Sequence, residues 1–369
     1  MKRITIAFLV AVLLIAMITL SGCSLFRLFY SQPDYDSLFD DLEKAQENMM
    51  KNDSEFGYYI YSDGTAEITG YSGTDEDLVI PDTLNGITVG RIGYRAFAGH
   101  SELVTVVIPE GVTFINNGAF SNLPNVKSYS LPSTLRVICG GAFASNTSLE
   151  SVTIPEGVEY LHGSAFGSCD QLKTVTILGR YTEFHGNPFS CCDSLEEIII
   201  DDRNTNLSVQ DCCVLDTLRN TFLAYIPSMD KGSGEIYRVP DGITTMNSSA
   251  FYKCDRLIEV ILPDSLTEIP DDALGYCTAL EKVNIPDNVK RIGYCAFQDC
   301  KNLRELTIPK SVEKIERSSF NGCESLHIYV YEGSYAASYT RDAPSLFFPN
   351  SDTRLRYPEY CEVTVIPKQ

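Results

Sequence analysis

Apolar and polar positions along this chain return every 23 residues. An apolar residue followed by proline recurs at Ile108-Pro109, Leu131-Pro132 and Ile154-Pro155, then at Leu262-Pro263, Ile285-Pro286 and Ile308-Pro309. A small residue followed by phenylalanine recurs at Phe97, Phe120, Phe143, Phe166, Phe189, Phe251, Phe297 and Phe320, with Leu274 in the remaining slot. Residues 149–171 illustrate the unit. Alternation predicts a short strand with Leu149, Val152 and Ile154 inward and Glu150, Ser151 and Thr153 outward. Pro155 has no N–H to donate and ends it. Glu156-Gly157 turns the chain, Val158 and Leu161 point inward again, and Ala165-Phe166 closes the coil with a tight helical or 3₁₀ turn. One unit cannot hide its apolar face from water, but stacked units can. Each buried side chain contributes ~1.5–3 kcal/mol against ~1–2 kcal/mol of backbone entropy per residue. An isolated unit is therefore predicted to be unfolded.

These motifs resemble the BspA-type leucine-rich-repeat family, over residues 56–346. The resemblance implies a leucine-rich-repeat solenoid: a β-rich, right-handed stack of coils with parallel strands and short helical or 3₁₀ turns, capped at both ends. Residues 58–73 resemble the family's N-terminal hairpin, in which Asp63-Gly64 suits a two-residue turn with positive φ. Residues 201–238 resemble its longer, hairpin-bearing interruption. Residues 331–346 resemble its closing cap, where a short helix around Tyr335–Arg341 would cover the last open edge. The tail, 347–369, follows no repeat and forms either an extra strand or a loose end.

The residues ahead of the repeats concern address rather than fold. Lys2 and Arg3 precede an apolar run, Ile4–Leu20, broken only by Thr5 and Thr19. That order reads as an export signal. The run is about three residues short of the ~20 a membrane-spanning helix needs. Leu20-Ser21-Gly22-Cys23 resembles a bacterial lipobox, which implies removal of residues 1–22 and a lipid on Cys23. Localisation would then be outside the cytoplasm, held to the membrane only by that lipid. Residues 23–55 form a spacer in which Leu38, Phe39, Leu42, Ala45 and Met49 have helical spacing. That helix either spans to the solenoid, docks on its first coil or self-associates.

Net charge narrows the partners. The chain carries −20, and loss of Lys2 and Arg3 takes it to −22. Nucleic acid, which needs a basic stripe, and general adhesion to anionic lipid are disfavoured. At 44% apolar and 21% charged the chain can bury a large core.

Of 13 cysteines, six fall three residues after the repeat phenylalanine or its substitute: Cys169, Cys192, Cys254, Cys277, Cys300 and Cys323. Earlier coils place His100, Leu123 and Asn146 there. Stacked, these positions form a ladder in which a thiol acts as a small core filler with a weak S–H donor. Cys139, Cys191, Cys212, Cys213, Cys295 and Cys361 lie outside it. A disulfide from Cys191 to Cys212 or Cys213 would pin the interruption. Cys139, His162 and His185 share another column and would lie ~4.8 Å apart, close enough to share a Zn²⁺; a tolerant exposed column is the competing reading, and no other cofactor is implied.

No nucleophile elbow, zinc-protease helix motif, phosphate loop or dinucleotide fingerprint is present. Acidic pairs such as Asp201-Asp202 and Asp271-Asp272 read as solvated turn charge. The strand face is polar, with apolar spots at Val104/Val107 and at Ile258 and Ile261, which are the candidate ligand contacts. The family resemblance implies non-catalytic adhesion to a protein or surface polymer. The alternative is an envelope-organising spacer without a specific ligand.

Overall fold

The computed structural model describes residues 51–210, 212–230, 235–342 and 362–367. The lipobox, Cys23, the helically spaced segment 34–50 and Cys361 lie outside these residues. The repeats build a β-solenoid of about 11 turns with parallel strands. Each coil supplies two strands. The first-strand column runs through Asp77–Val79, Thr105–Val107 and Ser128–Ser130, then Ser151–Ile154, Thr174–Ile177 and Glu197–Ile200. It resumes with Ile236–Arg238, Glu259–Ile261 and Lys282–Val283, and ends with Glu305–Ile308, His327–Tyr331 and Glu362–Ile366. The second-strand column includes Ile87–Ile92, Phe114–Ile115, Val137–Ile138, Tyr160–His162 and Glu183–His185.

Register follows the 23-residue step: Val152 pairs with Val175, and Val175 with Ile198. Val152, Val175 and Ile198 are buried and Ser151 and Thr153 are exposed, because side chains alternate across a strand. Proline does two jobs at the strand end. It withholds an N–H, and its carbonyl accepts the N–H three residues on, from Val158 to Pro155 at 3.1 Å and from Val289 to Pro286 at 3.0 Å.

The closing turns stack as a third ladder. The N–H of Phe120 donates to Ala142, of Phe143 to Ala165 and of Phe166 to Pro188, at 2.7, 2.7 and 2.9 Å. Within each turn the bonds run i→i+3, as from Ala165 to His162 and Gly167 to Ser164. They do not build a regular helix, because a left-handed residue sits on either side of the Ala-Phe pair. One such column holds Arg95, Gly118, Gly141, Ser164, Ser249, Asp272, Cys295 and Ser318. The other holds Gly99, Asn122, Ser145, Ser168, Cys191, Lys253, Tyr276, Asp299 and Gly322. The phenylalanine rings form a buried stack, with centroids 4.9 Å apart for Phe97–Phe120, 5.4 Å for Phe120–Phe143 and 5.0 Å for Phe143–Phe166.

The interruption splits the apolar core into two clusters. Leu207–Gln210, Cys213–Asp216 and Thr221–Tyr225 form an antiparallel meander whose last strand pairs in parallel with Thr245–Met246. Polar groups tie the two sides together. The Ser228 hydroxyl donates to Leu195 O at 2.6 Å, and Asn247 Nδ2 donates to Phe184 O at 2.9 Å.

Both ends differ in detail from the sequence expectation. Lys51–Asp53, placed in the spacer by sequence, is already the outermost strand, antiparallel to Phe56–Ile60. In the next hairpin only Gly64 is left-handed, at φ 83°. The Tyr61 N–H bonds Thr65 O and the Asp63 carboxylate accepts the Thr65 N–H. This is a three-residue loop, not a two-residue one. At the other end the helix Tyr335–Asp342 packs over the interior, with Ala336 fully buried. The edge of His327–Tyr331 is taken instead by Glu362–Ile366, so the tail supplies an extra strand.

Candidate functional site

The thiol column is interior. Sγ of Cys169 donates to Phe143 O at 3.3 Å and Sγ of Cys192 to Phe166 O at 3.0 Å. Cys277 serves Phe251, Cys300 serves Leu274 and Cys323 serves Phe297, at 3.0–3.1 Å. Cys254, beside Cys277, is buried too. Burial pushes the Cys169 thiol up to about 12 and those of Cys192, Cys254 and Cys300 well above the ordinary value. Neutral, water-excluded thiols are poor nucleophiles. In the same slot Asn146 accepts the Leu123 N–H at 2.9 Å and donates to the Tyr129 hydroxyl at 2.7 Å. No disulfide joins Cys191 to Cys212 or Cys213.

Cys139, His162 and His185 do occupy one column of successive coils. Cys139 is buried and its thiol is pushed up to about 12 by burial. The His162 and His185 rings lie 4.9 Å apart and tilted by 30°. Parallel strands in register bring these two rings to neighbouring positions. Among the described residues no group of three or more His, Cys, Asp or Glu side chains could hold a metal ion, so the zinc expectation has no site. Burial, with His185 second, lowers His162 to about 4, and the ring is neutral at physiological pH.

Beside this pair the interruption assembles a cluster that sequence spacing did not reveal. Glu183, the register partner of Tyr160, is approached by Arg219 Nη1 at 3.1 Å, by the Tyr181 hydroxyl at 3.4 Å and by His185 Nε2 at 3.5 Å. Asp216 accepts the backbone N–H groups of Leu218 and Arg219, both at 3.0 Å, and so fixes the turn that delivers the guanidinium. Arg219 lies over the Tyr181 ring at 5.8 Å, and Tyr160 meets His185 edge-on at 5.5 Å. Tyr160 and Tyr181 keep 40% and 38% of their surface in solvent, and Leu218 is exposed beside them. Burial and then the Glu183 charge raise the Tyr181 phenol, which stays a neutral donor. The slot that holds Tyr160 repeats as Phe114 and Val137, so its column was readable at 23-residue spacing. The arrival of Arg219 was not.

Ile258 and Ile261 are half-buried, not projecting. On the first-strand face the clearly exposed apolar residues are Val79, Val107, Ile199 and Ile236, separated by exposed Ser128, Ser130, Ser151 and Thr153. One of the acidic pairs departs from the solvated reading. Asp271 bonds Arg291 and the Tyr294 N–H. Asp272 is buried in a left-handed conformation, and its Oδ1 has no hydrogen-bond partner. Burial, then the Asp271 charge, raises it to about 7.

With these coils in view, comparison with known proteins decides the family. A family model described as BspA type leucine rich repeat region matches residues 78–212 and 233–338, in 6 copies. The chain belongs to the BspA-type leucine-rich-repeat family. The gap between the matched segments holds the last two strands of the meander, Cys213–Asp216 and Thr221–Tyr225, where this member departs from the repeat. Among solved structures, the pneumococcal vaccine antigen PcpA is 16% identical with a TM-score of 0.57, the alignment covering 87% of this chain and 88% of that one. A leucine-rich repeat protein from Eubacterium ventriosum is 18% identical with a TM-score of 0.55, covering 76% and 83%. At these identities the likeness is one of fold. None of the curated proteins compared with the chain matches it.

Proposed function

We propose that this BspA-type protein is a non-catalytic binding protein of the bacterial surface. It presents its solenoid to a protein or surface-polymer ligand from a lipid anchor at Cys23. Proteins of the family are generally exposed on bacterial surfaces. Among the described residues no helix is long and apolar enough to cross a membrane.

The observation that carries the reading is the cluster around Glu183. It offers two partly exposed tyrosines and an arginine held in place by fixed carboxylates. Tyrosine and arginine dominate the energetics of protein interfaces because they combine apolar area with a polar tip. The buried thiols, in contrast, have no route to a substrate. Ile258 and Ile261 remain secondary contacts in this proposal.

Crosslinking capture on intact cells tests it. Saturable recovery of a partner, reduced at least tenfold by Tyr160→Ala with Tyr181→Ala and less by Ile258→Asp with Ile261→Asp, supports a ligand face. No captured partner, together with an envelope defect on deletion, would favour the spacer role. Incorporation of an alkyne-tagged fatty acid that disappears in Cys23→Ala tests the anchor separately.

A further inference from the structure

Among the described residues the last strand of the solenoid, Glu362–Ile366, is paired on one side only. It lies parallel to His327–Tyr331 over its full length, with Thr364 opposite Tyr329 and Ile366 opposite Tyr331. The attachment is firm: Glu332 donates its N–H to Ile366 O at 2.9 Å, and the His327 ring meets the Thr364 hydroxyl at 2.8 Å. Among the described residues no strand pairs with its other edge. Val363 and Val365 continue the inward rows of Ile328 and Val330. Those two residues are fully buried, whereas Val363 and Val365 expose 43% and 50% of their surface. The open end therefore offers both unpaired backbone and the start of an apolar layer, the combination that invites strand addition.

The sequence of this strand selects the partner. Backbone N–H and C=O groups of successive residues point to opposite edges of a strand. Because Ile366 points its carbonyl towards Glu332, residues 362, 364 and 366 face the solenoid, and Val363 and Val365 aim their N–H and C=O groups at the open side. Glu-Val-Thr-Val-Ile is symmetric in its centre. An antiparallel copy turned about Thr364 places Val363 opposite the partner's Val365 and Val365 opposite the partner's Val363. Each such pair can exchange both backbone hydrogen bonds, and the valine side chains meet on the inward face. Glu362 then lies opposite the partner's Ile366. A parallel arrangement through the same edge would stagger the copies by one residue and turn their valines to opposite faces, so no joined apolar layer would form. We propose that a second copy of this chain docks here, joining two solenoids through an antiparallel pairing of Glu362–Ile366 with itself. The contact is isologous, as a twofold requires. It is independent of the ligand cluster at Glu183.

Two substitutions separate this pairing from the strand's own folding. Val365→Pro removes an N–H that faces the open edge, while leaving the bonds to His327–Tyr331 in place; edge strands tolerate proline there. Val363→Lys puts a charge into the joined layer. Sedimentation equilibrium of the full chain in density-matched detergent should show a concentration-dependent monomer–dimer equilibrium. Each variant should shift it at least tenfold towards monomer, with the melting curve of the monomer unchanged. Thr364→Cys supplies a positive readout. In a non-hydrogen-bonded antiparallel pair the two Cα atoms sit ~4.5 Å apart, within the ~4.4–6.8 Å a disulfide spans. Mild oxidation should give a dimer in which peptide mapping joins residue 364 to residue 364. A chain that stays monomeric at every concentration, a dimer indifferent to both Val365→Pro and Val363→Lys, or no self-crosslink at position 364 would each overturn the proposal.

Discussion

The stretch before the interruption and the stretch after it use the same coil but settle its buried polar groups differently. Up to Phe189 the ring column is unbroken, and the slot three residues after the ring changes from His100 to Leu123 to Asn146 before thiols take it over. After the meander the ring column is broken by Leu274, and every coil carries a thiol: Cys254, Cys277, Cys300 and Cys323. In the first stretch the buried amide of Asn146 is satisfied on both sides. In the second the buried carboxyl of Asp272 has one oxygen without a partner. The difference teaches that stacking dictates where a polar atom sits but not whether it finds a partner. Where it finds one the column is neutral and firm; where it does not, the cost appears as a displaced pKa.

The largest expected effect comes from breaking the ring column. Phe143→Ala removes a ring stacked on both faces and should cost ~3–5 kcal/mol in urea unfolding. Leu274→Ala, at the same slot where the column is already broken, should cost less, about 2–4 kcal/mol.

Next is Asp272. Its folded pKa, about 7, lies above the ordinary 3.8. Between those values the native chain keeps a proton that the unfolded chain has released, so stability falls as pH rises from about 4 to 7 and levels off above. Asp272→Gly removes the charge and suits the left-handed backbone. It should raise stability by roughly 1–3 kcal/mol at pH 8 and flatten that part of the pH profile. An unchanged thermal profile between pH 4 and 8 would contradict the assignment.

The two ways of filling the slot give a paired test. Cys300→Ala removes one of two donors to the Leu274 carbonyl, the Cys277 N–H at 3.3 Å remaining, whereas Asn146→Ala strands both the Leu123 N–H and the Tyr129 hydroxyl. The first should cost about 0.5–1.5 kcal/mol and the second about 2–3 kcal/mol by chemical denaturation. Cys300→Ser, which keeps a donor, should fall nearer wild type.

The smallest effects belong to the turn columns and the outer face. Ser145→Gly relieves a left-handed backbone at φ 61° and should gain about 0.5–1 kcal/mol. Thr153→Ala, outward on its strand, should stay within about 0.5 kcal/mol of wild type.

Legibility followed the range of the interactions involved. The inward set Leu149, Val152, Ile154, Val158, Leu161 and Phe166 could be read directly, because period 2 within a strand and period 23 between coils leave one consistent burial pattern. The left-handed columns left a trace in Gly118, Gly141, Ser145, Ser164 and Ser168 at fixed spacing, but turn-prone residues in a loop are common enough to hide it. Ile258 and Ile261 looked outward by alternation, yet neighbouring coils half cover them. The zinc column showed the same limit: spacing places Cys139, His162 and His185 in line, but the direction of each ring depends on its packing.

From sequence alone came the coil, its period, its inward faces and the parallel stacking, since each rests on residues within one repeat and its copy 23 positions on. The folded chain alone decided what the exceptions do. Arg219 reaches Glu183 across 36 residues because the meander folds back on the stack, Asp272 is dehydrated by coils above and below it, and Glu362–Ile366 finds His327–Tyr331 across a segment with no repeat. No period relates Arg219 to Glu183 or Glu362–Ile366 to His327–Tyr331, so only the closing of the chain in space could bring these partners together.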